Sequence, residues 1–245
     1  MNSIAFVRVA VSMLFLAGCN SVSTPDSGNG PVVDINDYPM SVLSQELKDS
    51  LAYMGNEERL AYDVYNHLYD IHDQSIKQLH NIASKSEIRH IETVQALVKR
   101  YQLNENNLTE VASPSVGDHA HVDVENMPAG QYDIPVIQTL YNALITKGEA
   151  SKQEALEVGC MVEVTDINDL DTYIAQAQNA NAEDVEAAFN ALREGSYQHY
   201  WAFDSGLKSA GVAEGCCSLG MLDGVSYCHS EYPQSSKGNG RGHNR

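Results

Sequence analysis

Glu87 and His90 stand three residues apart, a carboxylate and an imidazole that a helix carries on one face, one turn from each other. Alone such a pair is a weak metal-ligand signal, because exposed helix faces carry it by chance. Its weight comes from Glu58, from Glu163 and Asp166, again three apart, and from His199. Each of these interrupts a stripe of apolar residues that recurs at alternating three- and four-residue steps, the spacing of an inward helical seam. The four seams are Leu47, Leu51, Met54, Glu58, Ala61, Tyr65, Leu68; then Leu79, Ala83, Glu87, His90, Val94, Leu97, Tyr101; then Leu156, Gly159, Glu163, Asp166, Leu170, Tyr173; and Val185, Phe189, Leu192, Ser196, His199, Phe203, Gly206. Every one has its polar break near the middle. Buried unpaired carboxylates are costly, and no Lys or Arg sits on a seam at this level to balance them. Bound divalent cations would. Four carboxylates and two imidazoles are the donor set expected for two iron ions, or two manganese ions, held between helices. Glu87 would bridge, Glu58 and Glu163 would bridge or terminate, and His90 and His199 would each cap one metal. A buried ion-pair network without metal is the alternative.

The elements that must position these groups are four long helical patterns. The first follows the N-cap Ser44 and runs to about Ile71; the second spans about 75–101; the third follows the N-cap Ser151 to about Gln178; the fourth covers about 181–207. A short helix from Pro135 to Lys147, closed by Gly148, lies within the mixed segment between the second and third. No comparable period-two run occurs, so the class is all-α. Short turns near 72–75 and 178–182 make two antiparallel hairpins, and the long middle segment returns the chain across a four-helix bundle. Heights agree. Glu58 lies 14 residues before the first turn and Glu87 12 after it, which differ by about 3 Å at about 1.5 Å per residue. Around the second turn Glu163 and Asp166 match Ser196 and His199 to within about one helical turn. Glu57 points about 100° away from Glu58 and reads as a surface acid. Tyr65 reads as core, and His67, His72, His80, His119, His121, His229 and His243, off the seams or in loops, read as solvated.

The series M54-G-N-E-E-R-L-A-Y-D-V-Y65, N81-I-A-S-K-S-E-I-R-H90, G159-C-M-V-E-V-T-D-I-N-D-L170 and G195-S-Y-Q-H199 is similar to a bacterial ferritin-like family catalogued as a domain of unknown function. Glu58 through Tyr65 and Glu87-x-x-His90 also resemble the first- and second-helix signatures of rubrerythrins and other ferritin-like di-iron proteins. The resemblance covers about residues 44–207 and implies a ferritin-like bundle with a di-metal site; it brings no substrate. Two departures matter. Ser196 stands where rubrerythrins have a second E-x-x-H glutamate, and Asp166 offers the missing carboxylate. The rubredoxin module that feeds electrons to such centres is absent, so a reductant would come from outside.

The whole chain has 245 residues, 15 Lys and Arg against 33 Asp and Glu, and a formal charge of −18, which argues against a nucleic-acid partner. Residues 1–18 read as a secretory signal with Arg8 and a short apolar run, and Leu16-Ala17-Gly18-Cys19 resembles a bacterial lipobox that lipidates Cys19. Asn20 resembles the outer-membrane sorting preference of enteric bacteria, so the protein is expected on the periplasmic side of the cell envelope, held to the membrane by lipid. Residues 19–40 then read as a tether, 41–210 as the ferritin-like domain and 211–245 as a flexible extension. Export permits disulfides. Cys228 is expected to pair with Cys216 or Cys217, and Cys160 to be a small core residue. No C-x-x-C spacing supports a zinc ribbon or rubredoxin centre. Three functions fit: redox chemistry with oxygen or peroxide, as in an Fe(II) oxidase or a peroxidase; metal buffering in the periplasm; and a metal-free structural role.

Overall fold

The computed structural model describes residues 33–114 and 122–234. The signal segment, Cys19, Asn20, His119, His121 and His243 lie outside the described residues. The described chain is mostly helical, with a single two-stranded hairpin, Met221–Leu222 against Val225–Ser226, as its β-structure. Helix α1 is Gln45–Ile71. Helix α2 has an α-helical start, Lys77–Ile82, a π-helical stretch, Ala83–Glu87, and an α-helical remainder, Ile88–Arg100. Then come α3 (Pro135–Gly148), α4 (Lys152–Ala180) and α5 (Glu183–Ser209).

Local chemistry sets these boundaries. Ser44 and Ser151 cap α1 and α4, each side chain accepting a hydrogen bond at 3.1 Å from the amide three residues on. Pro135 opens α3, where its missing N–H costs nothing. Asn181 closes α4 in the left-handed conformation, φ 52°, so α5 folds straight back along α4. Asp73 and Gln74, also left-handed, reverse the chain between α1 and α2.

The apolar core comes in two parts. One cluster includes Leu60, Val64, Leu68, Leu79, Leu156 and Phe203. The other includes Leu47, Leu51, Met54, Val94, Leu170 and Phe189. The seam acids and histidines fall between them. Helix α1 runs through the interior, against α2, α3 and α4, and the crossover closes over its remaining face. Arg59 is buried there and donates to the carbonyls of Pro128 and Gln131, while Asp63 accepts from Tyr132 Oη at 2.6 Å and from the Gly130 amide at 2.9 Å.

That enclosure corrects two expectations. Glu57 is not a surface acid; the 100° turn away from the seam carries it into the groove between α1 and α4, which is also covered. His72 is buried, with Nε2 2.8 Å from the Gly148 carbonyl oxygen. The cysteines bring a third correction. Cys217 takes Cys228, one of the two expected partners, but Cys160 is not a lone core residue: it is bonded to Cys216. The described part of the extension is therefore stapled to α4 and is not loose. Gly215 makes this possible with φ 56°, since a Cβ there would collide with the Asp204 carboxylate that receives the Cys216 amide.

The two bridges close loops of different size, with sequence separations of 56 and 11 residues. In the chain-entropy account, replacing Cys160 and Cys216 together by Ala should cost about 4 kcal/mol, and replacing Cys217 and Cys228 about 3 kcal/mol. Thermal melts of both double variants check the order. Unreduced peptide maps should recover Cys160 linked to Cys216.

Candidate metal centre

Four helices bring the seam residues to one level. Glu58 comes from α1, Glu87 and His90 from α2, Glu163 and Asp166 from α4, and Ser196 and His199 from α5; all are buried. His90 Nδ1 lies 3.0 Å from Glu58 Oε2 and 3.2 Å from Glu87 Oε2. His199 Nδ1 lies 3.1 Å from Glu87 Oε1 and 3.4 Å from Glu163 Oε2. Glu87 thus turns one oxygen to each histidine, and the two imidazoles stack with centroids 5.4 Å apart. Two triads of ligand atoms result, Glu58–Glu87–His90 and Glu87–Glu163–His199, each within 4.8 Å and sharing Glu87. Asp166 belongs to neither. It accepts a 2.5 Å hydrogen bond from Ser196.

The residues around the triads aim them. The π-helical stretch, with its i→i+5 bonding, ends at Glu87 and turns Ser86 inward, where its Oγ lies 2.7 Å from His199 Nε2 and leaves Nδ1 for the centre. Tyr65 Oη donates to Glu163 Oε1 at 2.5 Å, so this residue is both core and a partner of the site. Gly195 gives the His90 ring its space: a Cβ there would stand 2.4 Å from Nε2. Helical phase alone signals none of these contacts, and the quoted G195-S-Y-Q-H199 string is the one hint of Gly195. Behind the histidines a cavity of about 550 Å³ opens between α2, α5 and the segment Val33–Asn36, with Ser86, His90, Arg89, Glu92 and Thr93 on its wall.

Burial makes charge costly here, and the pairs decide where it resides. Burial pushes the Glu58 carboxyl up to about 7, even with His90 beside it. Burial works against both imidazolium ions too, yet Glu58 and Glu87 raise His90 well above its usual range, and Glu163 and Glu87 raise His199 to about 10. Glu87 is buried as deeply, but His199 and His90 outweigh that and hold it below the ordinary carboxylate range. Asp166 has no imidazole partner; burial first, then Glu58 and Glu163, push it well up. The buried oxygens Glu58 Oε1 and Glu87 Oε1 and the nitrogen His199 Nδ1 have no hydrogen-bond partner. Glu87 Oε1 and His199 Nδ1 face each other at 3.1 Å without hydrogen-bond geometry. A cation between them satisfies both, so the donors present fit a metal pair.

A mostly helical chain with a buried, doubly triadic carboxylate–imidazole cluster is the class that fold and site define. Residues 47–219 match the family described as an uncharacterized protein domain, DUF2202, and the chain belongs to that family. It is 32% identical over 169 residues to the uncharacterized protein MJ0754 of Methanocaldococcus jannaschii, covering 69% of this chain and 79% of that protein. The crystal structure of hypothetical protein MJ0754 from Methanococcus jannaschii DSM 2661 superposes with a TM-score of 0.59 at 31% identity, over 71% of this chain and 86% of that one. The family match includes both triads, Asp166 and the Cys160–Cys216 bridge, and stops short of Cys228.

Asp166 gives a test of the electrostatics. Its raised folded pKa means that the native state is penalised as pH climbs above the ordinary aspartate value of 3.8, and not below it, where folded and unfolded chains both hold the proton. Asp166→Asn keeps an acceptor for Ser196 and removes the charge. In metal-free protein at neutral pH it should raise Tm by about 2–4 °C, the effect of about 1 kcal/mol in a chain of this size, and the gain should vanish near pH 4. Melting curves in chelator at the two pH values decide this, and a loss of stability at neutral pH would point to a satisfied structural network instead.

Proposed function

We propose that this chain is a ferritin-like four-helix protein whose α1, α2, α4 and α5 hold two iron ions, or two manganese ions, for redox chemistry with dioxygen or a peroxide at the bacterial cell envelope. The observation that carries the reading is the pair of ligand triads hinged on Glu87, with partnerless oxygens and an imidazole nitrogen turned toward one another. When bound, such a pair supplies electrons to dioxygen or to a peroxide bond.

The chain's own part is to fix the donors. Glu87 spans both positions, Glu58 and Glu163 hold the outer flanks, and His90 and His199 donate through Nδ1. Ser86 fixes the His199 ring and Tyr65 the Glu163 carboxylate. The flanking apolar clusters keep water from the two ends of the site along the helices and strengthen the charges between them. Ser196 supplies no carboxylate, and Asp166, one hydrogen bond away, stands ready as a sixth ligand.

One observation favours a buffering role as the second reading. All four cysteines among the described residues are in disulfides, so none is available to an iron–sulfur electron donor within the fold. A redox enzyme therefore needs an external reductant, whereas a buffer needs none. Stoichiometry and turnover separate these. Chelated protein given anaerobic Fe(II) should bind two ions per chain by elemental analysis. Glu87→Ala should lose both, Glu58→Ala or Glu163→Ala one, and the exposed control Glu105→Ala neither. Peroxide consumption that continues with added reductant identifies an enzyme; consumption that stops after one event per site identifies a buffer. No bound metal in wild type would leave the structural reading.

Attachment to the envelope rests on the Leu16-Ala17-Gly18-Cys19 string. Cys19→Ser should move the protein from the membrane to the soluble fraction and abolish labelled fatty-acid incorporation. Unchanged fractionation, with no acyl mass on the wild-type amino terminus, would refute lipidation.

A further inference from the structure

Next to the centre lies a second set of acids for which the two triads have no use. Glu57 is 7% exposed, and its Oε2 has no hydrogen-bond partner. Its position follows from the antiparallel register of α1 and α4. Ser50 Oγ donates to Gln176 Oε1 at 2.6 Å, and seven residues onward along α1 and seven back along α4 from that pair stand Glu57 and Asp169. Their carboxyls meet across the groove. Asp166 lies one turn before Asp169 on the same face of α4, and Glu58 follows Glu57. The row joins half-buried Asp169 at the groove to buried Glu57 and Asp166, and these to Glu58 of the first triad.

Among the described residues, the charged groups that act most strongly on this row are all acids. The groups acting on Glu57 are Asp169, Asp166 and Glu58, and the group acting on Asp169 is Glu57. The phenols of Tyr53 and Tyr173 flank the pair, and burial together with these same acids pushes both phenols up. Interior charge of one sign is expensive unless something opposite passes among it. Among the described residues only the two triads bring three ligand atoms to a common point, so the row is a file of oxygens and not a cage. A file suits transit: a hard cation exchanges its water for successive carboxylates and is not retained.

We infer that Asp169, Glu57 and Asp166 form the route by which divalent cations pass from solvent, between α1 and α4, to the Glu58–Glu87–His90 and Glu87–Glu163–His199 positions. This rests on the two-metal reading, and it assigns to Glu57 and Asp169 a role in the rate of loading and none in final occupancy.

The experiment uses the full chain, stripped with chelator and mixed anaerobically with Co(II), whose absorption on binding carboxylate and imidazole reports uptake in time. Glu57→Gln and Asp169→Asn, singly and together, keep side-chain shape; Glu92→Gln, on the wall of the cavity at the opposite side of the centre, is the comparison. Circular dichroism confirms the fold of each. Asp169→Asn and Glu57→Gln should slow uptake at least tenfold and still reach two Co(II) per chain with the wild-type spectrum, while Glu92→Gln should load at the wild-type rate. Uptake within twofold of wild type in both groove variants would overturn the route. So would slowing by Glu92→Gln alone, which would put access at the cavity. A fall below two ions in Glu57→Gln would make Glu57 a resident ligand and also overturn it. Wild type that binds no Co(II) would remove the two-metal reading itself, an outcome distinct from the others.

Discussion

Glu58, Glu87, Glu163 and Asp166 are sealed between two apolar clusters, where His90 and His199 can offset at most two of their four charges. That deficit is the constraint to which the rest of the molecule answers. Apolar residues in those positions would have given a continuous core and a more stable helical protein, because replacing buried charge by well-packed hydrocarbon is commonly neutral or favourable. The chain instead holds like charges within a few ångströms of one another, with three polar atoms left without partners. Strain of this kind persists where it serves a site, and the surrounding helices supply the rigidity that keeps it.

Backbone irregularity does much of the aiming. A regular helix through Ala83–Glu87 would turn Ser86 differently toward α5, and Ser86 is the group that orients His199. The absence of a side chain at Gly195 lets α5 approach α2 closely enough for the imidazoles to stack. Tyr65 joins the apolar cluster of Leu60 and Phe203 to Glu163, so packing of an aromatic ring in the core sets the direction of a ligand. Position, burial and protonation at this centre are therefore one property, and none can be altered without the others.

Much of this was legible in the amino-acid order. Seam interruptions identify the level of the site because helical phase and distance from a turn are both linear in residue number. Ser44, Pro135 and Ser151 mark helix starts through local hydrogen bonding, which needs no tertiary information. What escaped depends on neighbours. Glu57 reads as exposed only if that side of α1 is free, and α4, which brings Asp169 against it, covers that side. Cys160 looks self-sufficient in an apolar helix, since a chain that departs at Ser209 and returns beside α4 is invisible to periodicity. The π-helical stretch leaves one trace in the order, two successive four-residue steps from Leu79 to Ala83 to Glu87 in a seam that otherwise alternates, but that trace does not say which way Ser86 turns.

The division of the core into two apolar clusters has a consequence for how the protein opens. Each cluster is large enough to act as a cooperative unit, and the layer between them contributes ionic contacts where hydrocarbon would otherwise interlock. Amide hydrogens of α1, α2, α4 and α5 on either side of that layer then belong to different exchange groups, even though single helices run unbroken through both. The Cys160–Cys216 bridge joins α4 to the extension within the Leu60–Phe203 cluster, so the half containing Leu47 and Phe189 is the one that frays first.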